Sequence, residues 1–336
     1  MGDIAMAVRT GHPVWLRVAN FFDRTLELLR ELEPPQLVLW KLEFWGTDTP
    51  FDKVPASAGV DPAAHAEELR SLGHHVVPYT FSDWSRDRLS AFVPPLKGWP
   101  VAVLPIANKR PVAGQSREIV RARFGVGHDD VLVGAGGLLH PAKGVEEVVE
   151  GFLRTWPDPG AHMLCSLVPD GKEDTEDAVR DRWWASFGDG CERVHLRVSR
   201  YGDWTWMSAF YRAIDLMLVN SVSDSWGRMA SEPLALGVPT LVRRSDCGTN
   251  HIAPDVLLVD GFTDMSTPVF HAAVRKAQVC AGGLARYLEE KYAPAVVAER
   301  LLGLLRSRTP DAVRAAFEEA AARAESRAAL EDLAAF

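Results

Sequence analysis

The chain has 336 residues, 47% of them apolar and 24% charged, with a formal net charge of -8. That length suits two domains, and that composition suits a packed globular protein rather than a disordered or fibrous one. The acidic balance speaks against nucleic acid as a partner, since a general nucleic-acid surface needs a basic stripe, but it leaves room for a local basic pocket.

In the amino-terminal part, residues 14–32 carry apolar residues at helical spacing and 36–42 read as a strand. Residues 63–72 read as a helix, 75–79 as a strand, 82–88 as a loop entering a short helix, and 100–108 as a strand leading into a second domain. From 130 onward, strands and helices alternate. Strands are expected at 130–136, 162–168, 193–198, 215–219, 239–242 and 255–259, with helices at 143–153, 174–187 and 203–214. Such alternation implies a parallel sheet covered on both faces, with ligands at the carboxyl ends of its strands. After Phe270 the chain is expected to be largely helical, with a boundary at Thr309-Pro310 and a last Ala- and Glu-rich helix over 311–336.

The helix after Trp226 is expected to start at residues 229–231, because a proline suits only the first turn of a helix and Pro233 must be accommodated there. Glu232 would then lie in the first turn, where the helix dipole favours a negative charge. Read that way it is a helix-start acid. Read with Asp224 it is half of a carboxylate pair bracketing the helix entrance, able to accept from the hydroxyls of a polyhydroxylated ligand whose phosphates face the helix N–H groups.

The four cysteines, Cys165, Cys191, Cys247 and Cys280, have no CxxC spacing and read as free thiols of a reducing compartment. No run approaches the roughly 18 apolar residues of a membrane span. Met1 is not followed by a basic-then-apolar leader. Cytoplasmic residence is the expectation. The histidines lack HxxxH-type spacing, so no metal site is expected. The close tryptophan pairs Trp40/Trp45, Trp183/Trp184 and Trp204/Trp206 are expected mostly in packing roles.

The stretch from Asp224 through seven residues to Glu232, followed by Ala235-Leu236-Gly237-Val238-Pro239, resembles the donor-binding core of retaining GT-B glycosyltransferases, particularly glycosyltransferase family 4. The run Gly136-Gly137-Leu138-Leu139-His140-Pro141-Ala142-Lys143-Gly144 resembles that family's donor-phosphate motif. Two positions depart from the family. Asp224 stands where Glu is usual, and Leu138 stands where an Arg joins the Lys in embracing the diphosphate. Leucine cannot replace a guanidinium, and Arg228, Arg243 and Arg244 are candidates to compensate.

The resemblance implies an α/β GT-B fold, two Rossmann-like domains facing a cleft. The divisions would be a reduced acceptor-side domain over 1–108, a donor-binding domain over 109–282, and helices over 283–336 that pack back on the first domain. It implies a metal-independent, retaining transfer from a nucleotide-diphosphate sugar, with no cofactor and no enzyme nucleophile, to a small-molecule, glycan or lipid acceptor. Lys143 would stabilise the departing diphosphate, Glu232 would hold the ribose, and Asp224 would hold the transferred sugar. Gly136, Gly137, His140, Ser225, Trp226, Gly227, Arg228 and His251 would contact the donor. The departures at Leu138 and Asp224 and the small amino-terminal domain also suit a catalytically silent nucleotide-sugar-binding or partner subunit.

Overall fold

A computed structural model describes residues 18–19, 30, 37–41, 67–68, 71–92, 101–109, 111–199, 202–263 and 266–306. The chain forms two compact units. The first contains strands β1 (Val18–Ala19), β2 (Leu37–Lys41), β3 (His75–Thr80) and β4 (Ala102–Val103), with helix α1 (Asp83–Phe92) between β3 and β4. All four strands pair in parallel, in the order β1-β2-β3-β4. The strand at Val18–Ala19 corrects the helix expected over 14–32. Val18 pairs with Trp40 and Ala19 with Lys41, and main-chain pairing to a neighbouring strand overrides a local apolar periodicity. Residues 224–226 and the described residues from Lys291 onward, including helix α8 (Pro294–Arg306), cluster with this unit. The helix expected over 311–336 lies outside the described residues.

The second unit is built on a six-stranded parallel sheet: β5 (Val131–Leu138), β6 (Ala161–Val168), β7 (Val194–Val198), β8 (Leu216–Val219), β9 (Thr240–Arg243) and β10 (Leu258–Val259). The spatial order is β10-β9-β8-β5-β6-β7. Its helices are α2 (Arg117–Arg123), α3 (Val145–Thr155), α4 (Glu176–Phe187), α5 (Trp204–Ala213), α6 (Arg228–Ala235) and most of α7 (Thr267–Tyr292). The central strands read as apolar runs because both faces are covered. Leu132, Val133, Met163, Leu164, Leu167, Met217 and Leu241 are inaccessible to solvent.

Local sequence explains how the helices start. Ser116, Thr175 and Asp203 each cap a helix by accepting a main-chain N–H with the side chain. The lower edge of the sheet is tied by ions. Arg117 and Arg121 both reach Asp215, whose Oδ2 also accepts from the N–H of Leu132 at 2.8 Å. This anchors the starts of β5 and β8, the two neighbours between which the strand order reverses. Ligands in open α/β sheets bind above such a switch point, at the carboxyl ends of the strands.

Helix α6 corrects one expectation. It begins at Arg228, earlier than residues 229–231, because Gly227 adopts the left-handed conformation (φ 76°) and turns the chain sharply into the helix. Pro233 therefore lies inside the helix, and Glu232 sits beyond the first turn. The dipole benefit expected for Glu232 does not apply, and other groups must compensate its charge. The helix ends two residues after Pro233, with Gly237 in the left-handed region (φ 77°) leading to β9.

Candidate functional site

Three segments of the second unit meet at the switch point: residues 139–144 after β5, the turn after β8, and residues 244–251 after β9. They are joined by main-chain and side-chain bonds. The N–H of Val222 donates to the carbonyl of Ala142 at 2.9 Å, and Lys143 Nζ donates to the carbonyl of Ser223 at 2.7 Å. Asn220 Nδ2 donates both to the carbonyl of Gly144 (3.0 Å) and to Glu147 Oε2 (2.8 Å). Gly144, in the left-handed region (φ 54°), separates the 3-10 turn Pro141–Lys143 from α3. A Cβ there would overlap the Asn220 side chain.

The glycines after β5 are required by packing. A Cβ on Gly136 would overlap the carbonyl oxygen of Ser166 on β6 and stand 3.0 Å from Met229 Cε. Gly137 has φ 128° and faces Lys143 Cγ and Met229 Cγ. His140 is exposed and caps the 3-10 turn, its Nδ1 accepting from the N–H of Ala142 at 3.1 Å. That bond leaves the Nε2 proton for an outside acceptor.

Gly227 places the mouth of α6 on the same side. It provides no side-chain cap, and the N–H groups of Ala230 and Ser231 both donate to its carbonyl. The N–H groups of Arg228 and Met229 have no acceptor within an ideal helix, which makes this end a ready anion site. A Cβ on Gly227 would overlap Thr249 Oγ1. That hydroxyl and Ser231 Oγ are buried without a hydrogen-bond partner in the protein. His251 closes the turn Gly248–His251 and is exposed.

Glu232 is 7% exposed, and its Oε2 accepts from the Tyr211 hydroxyl on α5 at 3.0 Å. Burial pushes its carboxyl above the usual range, while the Tyr211 bond and the charges of Arg228 and Lys109 oppose that rise. Tyr211 is itself pushed well above the ordinary phenol range, first by burial and then by Glu232, so it remains a donor. Lys109 lies over the Trp204 ring, 5.3 Å from its centre, and Trp204 packs edge-on to Tyr211.

Of the residues singled out in the sequence, Gly136, Gly137, His140, Lys143, Gly227, Arg228, Glu232 and His251 belong to the second unit, on the end of β5, the three segments and α6. Asp224, Ser225 and Trp226 cluster with the first unit. Asp224 Oδ1 accepts from the N–H of Trp226 at 3.2 Å, and the buried Trp226 ring stands edge-on to Tyr292, 4.8 Å between centres. Tyr211, Lys109 and Thr249 are the additions. Tyr211 lies inside the apolar stripe of α5 and gives no sign in the sequence that its hydroxyl has a carboxylate partner.

The fold recurs in known structures. The chain matches sucrose-phosphate synthase from Thermosynechococcus elongatus with a TM-score of 0.66 and 15% identity, over 90% of this chain and 75% of that one. It matches the α,α-trehalose-phosphate synthase of Burkholderia xenovorans in complex with glucose-6-phosphate with a TM-score of 0.63 and 12% identity, over 91% and 75%. It matches Anabaena HepE in complex with UDP-glucose with a TM-score of 0.57 and 14% identity, over 84% and 81%. The fold is GT-B. No protein-family model and no curated protein sequence matches the chain. At these identities the GT-B likeness is one of fold, so the activity has to be argued from the site. Within that GT-B framework the second unit supplies a glycine-lined strand end, one ammonium, one buried carboxylate and an uncapped helix mouth.

Proposed function

We propose that the protein is a glycosyltransferase that moves a sugar from a nucleotide-diphosphate sugar to an acceptor hydroxyl, with retention at the anomeric carbon and without a metal ion. The observation that carries this reading is the juxtaposition of Lys143, tied by its ammonium to the carbonyl of Ser223, with the loop that leads into the uncapped α6. That loop ends at Gly227, so a cation and free helix N–H groups are served by one short segment. The known structures in complex with UDP or UDP-glucose share the fold and agree with the proposed ligand class.

In the proposed reaction the bond between the anomeric carbon and the diphosphate oxygen breaks, and the acceptor oxygen bonds to that carbon on the same face. The acceptor proton passes to the departing phosphate oxygen. The products are a glycoside and a nucleoside diphosphate. Negative charge grows on the leaving oxygen, and preorganised donors stabilise it most. Lys143 and the N–H groups of Arg228 and Met229 take this role. Glu232 accepts from the ribose hydroxyls, and Asp224 is assigned the hydroxyls of the transferred sugar. His140 and His251 line the rim. The acceptor is a small molecule, a glycan or a lipid.

A second reading rests on Leu138. It ends β5 and supplies no cation where the resembled family has a guanidinium, which suits a nucleotide-sugar-binding subunit that does not turn over. Incubation with UDP-, GDP- and TDP-sugars and a panel of acceptors separates the readings. Release of nucleoside diphosphate with glycoside product is expected. Binding without release across the panel would favour the silent subunit, and no binding at millimolar concentration would remove both.

A further inference from the structure

We infer that Tyr211 is a positioning residue for Glu232: by donating to Oε2 it fixes the carboxylate with Oε1 as the edge offered to a ligand. The inference deepens the proposed donor site and rests on that reading for the identity of the ligand. Its own basis is geometric. Tyr211 Oη stands 3.0 Å from Glu232 Oε2 and 3.5 Å from Met229 Sδ. The hydroxyl has one proton to give, and a carboxylate is a far stronger acceptor than a thioether. The phenol ring is held on several sides, by Phe210 at 5.4 Å and Trp204 at 6.3 Å between ring centres. Its oxygen therefore cannot follow a carboxylate that rotates away. Glu232 accepts no other hydrogen bond among the described residues, so this contact sets its rotamer.

The arrangement also sets the ionisation state. The charged or titratable groups that act on Glu232 are Tyr211 from α5, Arg228 from its own helix, and Lys109 from the segment after β4. Burial favours the neutral acid, which would offer a ligand one acceptor fewer. The Tyr211 bond works against this at the shortest range. A carboxylate that must accept from ligand hydroxyls at neutral pH needs that donor, and neither cation is hydrogen-bonded to it to substitute. Phenylalanine at 211 would keep the ring packing and remove the donor alone.

The test compares the full-length chain with its Tyr211→Phe, Glu232→Gln and doubly substituted forms. The first readout needs no ligand: a carbon-13 titration of the Glu232 carboxyl, assigned by its loss in Glu232→Gln. In Tyr211→Phe its midpoint is expected to move up by about one pH unit. An unmoved midpoint overturns the inference. The second readout is UDP affinity by calorimetry from pH 5.5 to 8.5. Tyr211→Phe is expected to lose about tenfold at the acid end and to recover toward alkaline pH. In the Glu232→Gln background the same change is expected to alter affinity less than about twofold. Equal losses in both backgrounds, or a loss independent of pH, assign Tyr211 a packing role and overturn the inference. If Tyr211→Phe folds only when Glu232→Gln is also present, that rescue demonstrates the coupling; if neither form folds, the hydroxyl is needed for folding independently of Glu232 and the inference fails. A shifted midpoint in a protein that binds neither UDP nor GDP would leave the positioning role standing and remove the donor-site reading instead.

Discussion

The ammonium of Lys143 donates to the carbonyl of Ser223 across 2.7 Å, so the only cation in the turn after β5 is already oriented by the turn after β8. Replacing Lys143 by Met keeps the stem and removes the charge. UDP affinity is expected to fall by about tenfold or more, the range for losing a hydrogen bond to a charged group. Stability should fall too, with the charge-assisted Ser223 contact alone worth about 1.5–3 kcal/mol. Calorimetry and urea denaturation check the two parts. Unchanged affinity would remove Lys143 from the donor site.

Gly227 is the hinge on which the mouth of α6 turns. Its φ of 76° is costly for an L side chain, and a Cβ would overlap Thr249 Oγ1. Gly227→Ala is expected to destabilise the protein by about 2–3 kcal/mol through strain and collision together. Adding Thr249→Ala relieves the collision and should recover part of that loss, leaving the φ cost. Denaturation midpoints of the single and double variants measure both.

Glu232 gives a pH signature whose sign follows from its environment. Burial raises its folded carboxyl above the ordinary value of 4.5, so the folded protein holds that proton more tightly than the unfolded chain. Stability from this group is present at low pH and is lost as pH climbs through the folded value. Glu232→Gln cannot ionise. The stability of this variant relative to the parent is therefore expected to grow between pH 4.5 and neutrality and then level off. Urea denaturation at a series of pH values is the measurement.

A second signature has the opposite direction. His162 and His195 stack at the starts of β6 and β7, with Nδ1 and Nε2 3.2 Å apart. Burial, then the neighbouring His162, lowers His195 to about 4, and burial lowers His162 too. A folded value below the unfolded one of 6.5 means stability is full above that pH and is lost as pH falls toward about 4. Discounted for the partial exposure of the ring, the loss should be about 1–2 kcal/mol. His195→Phe is expected to flatten this part of the stability profile, measured at pH 7 and pH 5.

Asp224→Glu restores the residue usual in the resembled family. It is expected to change the relative rates with different sugars more than nucleotide affinity, since the added methylene acts where the sugar is assigned. Steady-state kinetics with UDP-glucose and UDP-N-acetylglucosamine would reveal it; identical ratios for parent and variant would count against a sugar contact.

The parts of the fold that were readable in the sequence are those whose pattern is local. The apolar strands β5, β6 and β8, each followed by a helix, announce a parallel sheet, and Gly136 marks where one strand approaches another. The misreadings came from features that local pattern does not hold. The start of α6 depends on a left-handed Gly227 and a tertiary neighbour, Thr249, so the presence of Pro233 misplaced it. The short β1 exists through pairing with β2. At the site, motif spacing picked out Lys143 and Glu232. Tyr211 escaped because only folding brings a phenol 21 residues upstream against that carboxylate.

The tip of β5 has an evolutionary corollary. Gly136 is pressed against the backbone of β6, and a backbone cannot step aside as a side chain can. A library randomised at this position should return glycine almost alone. Variation is thereby channelled to exposed positions outside the strands, such as His140.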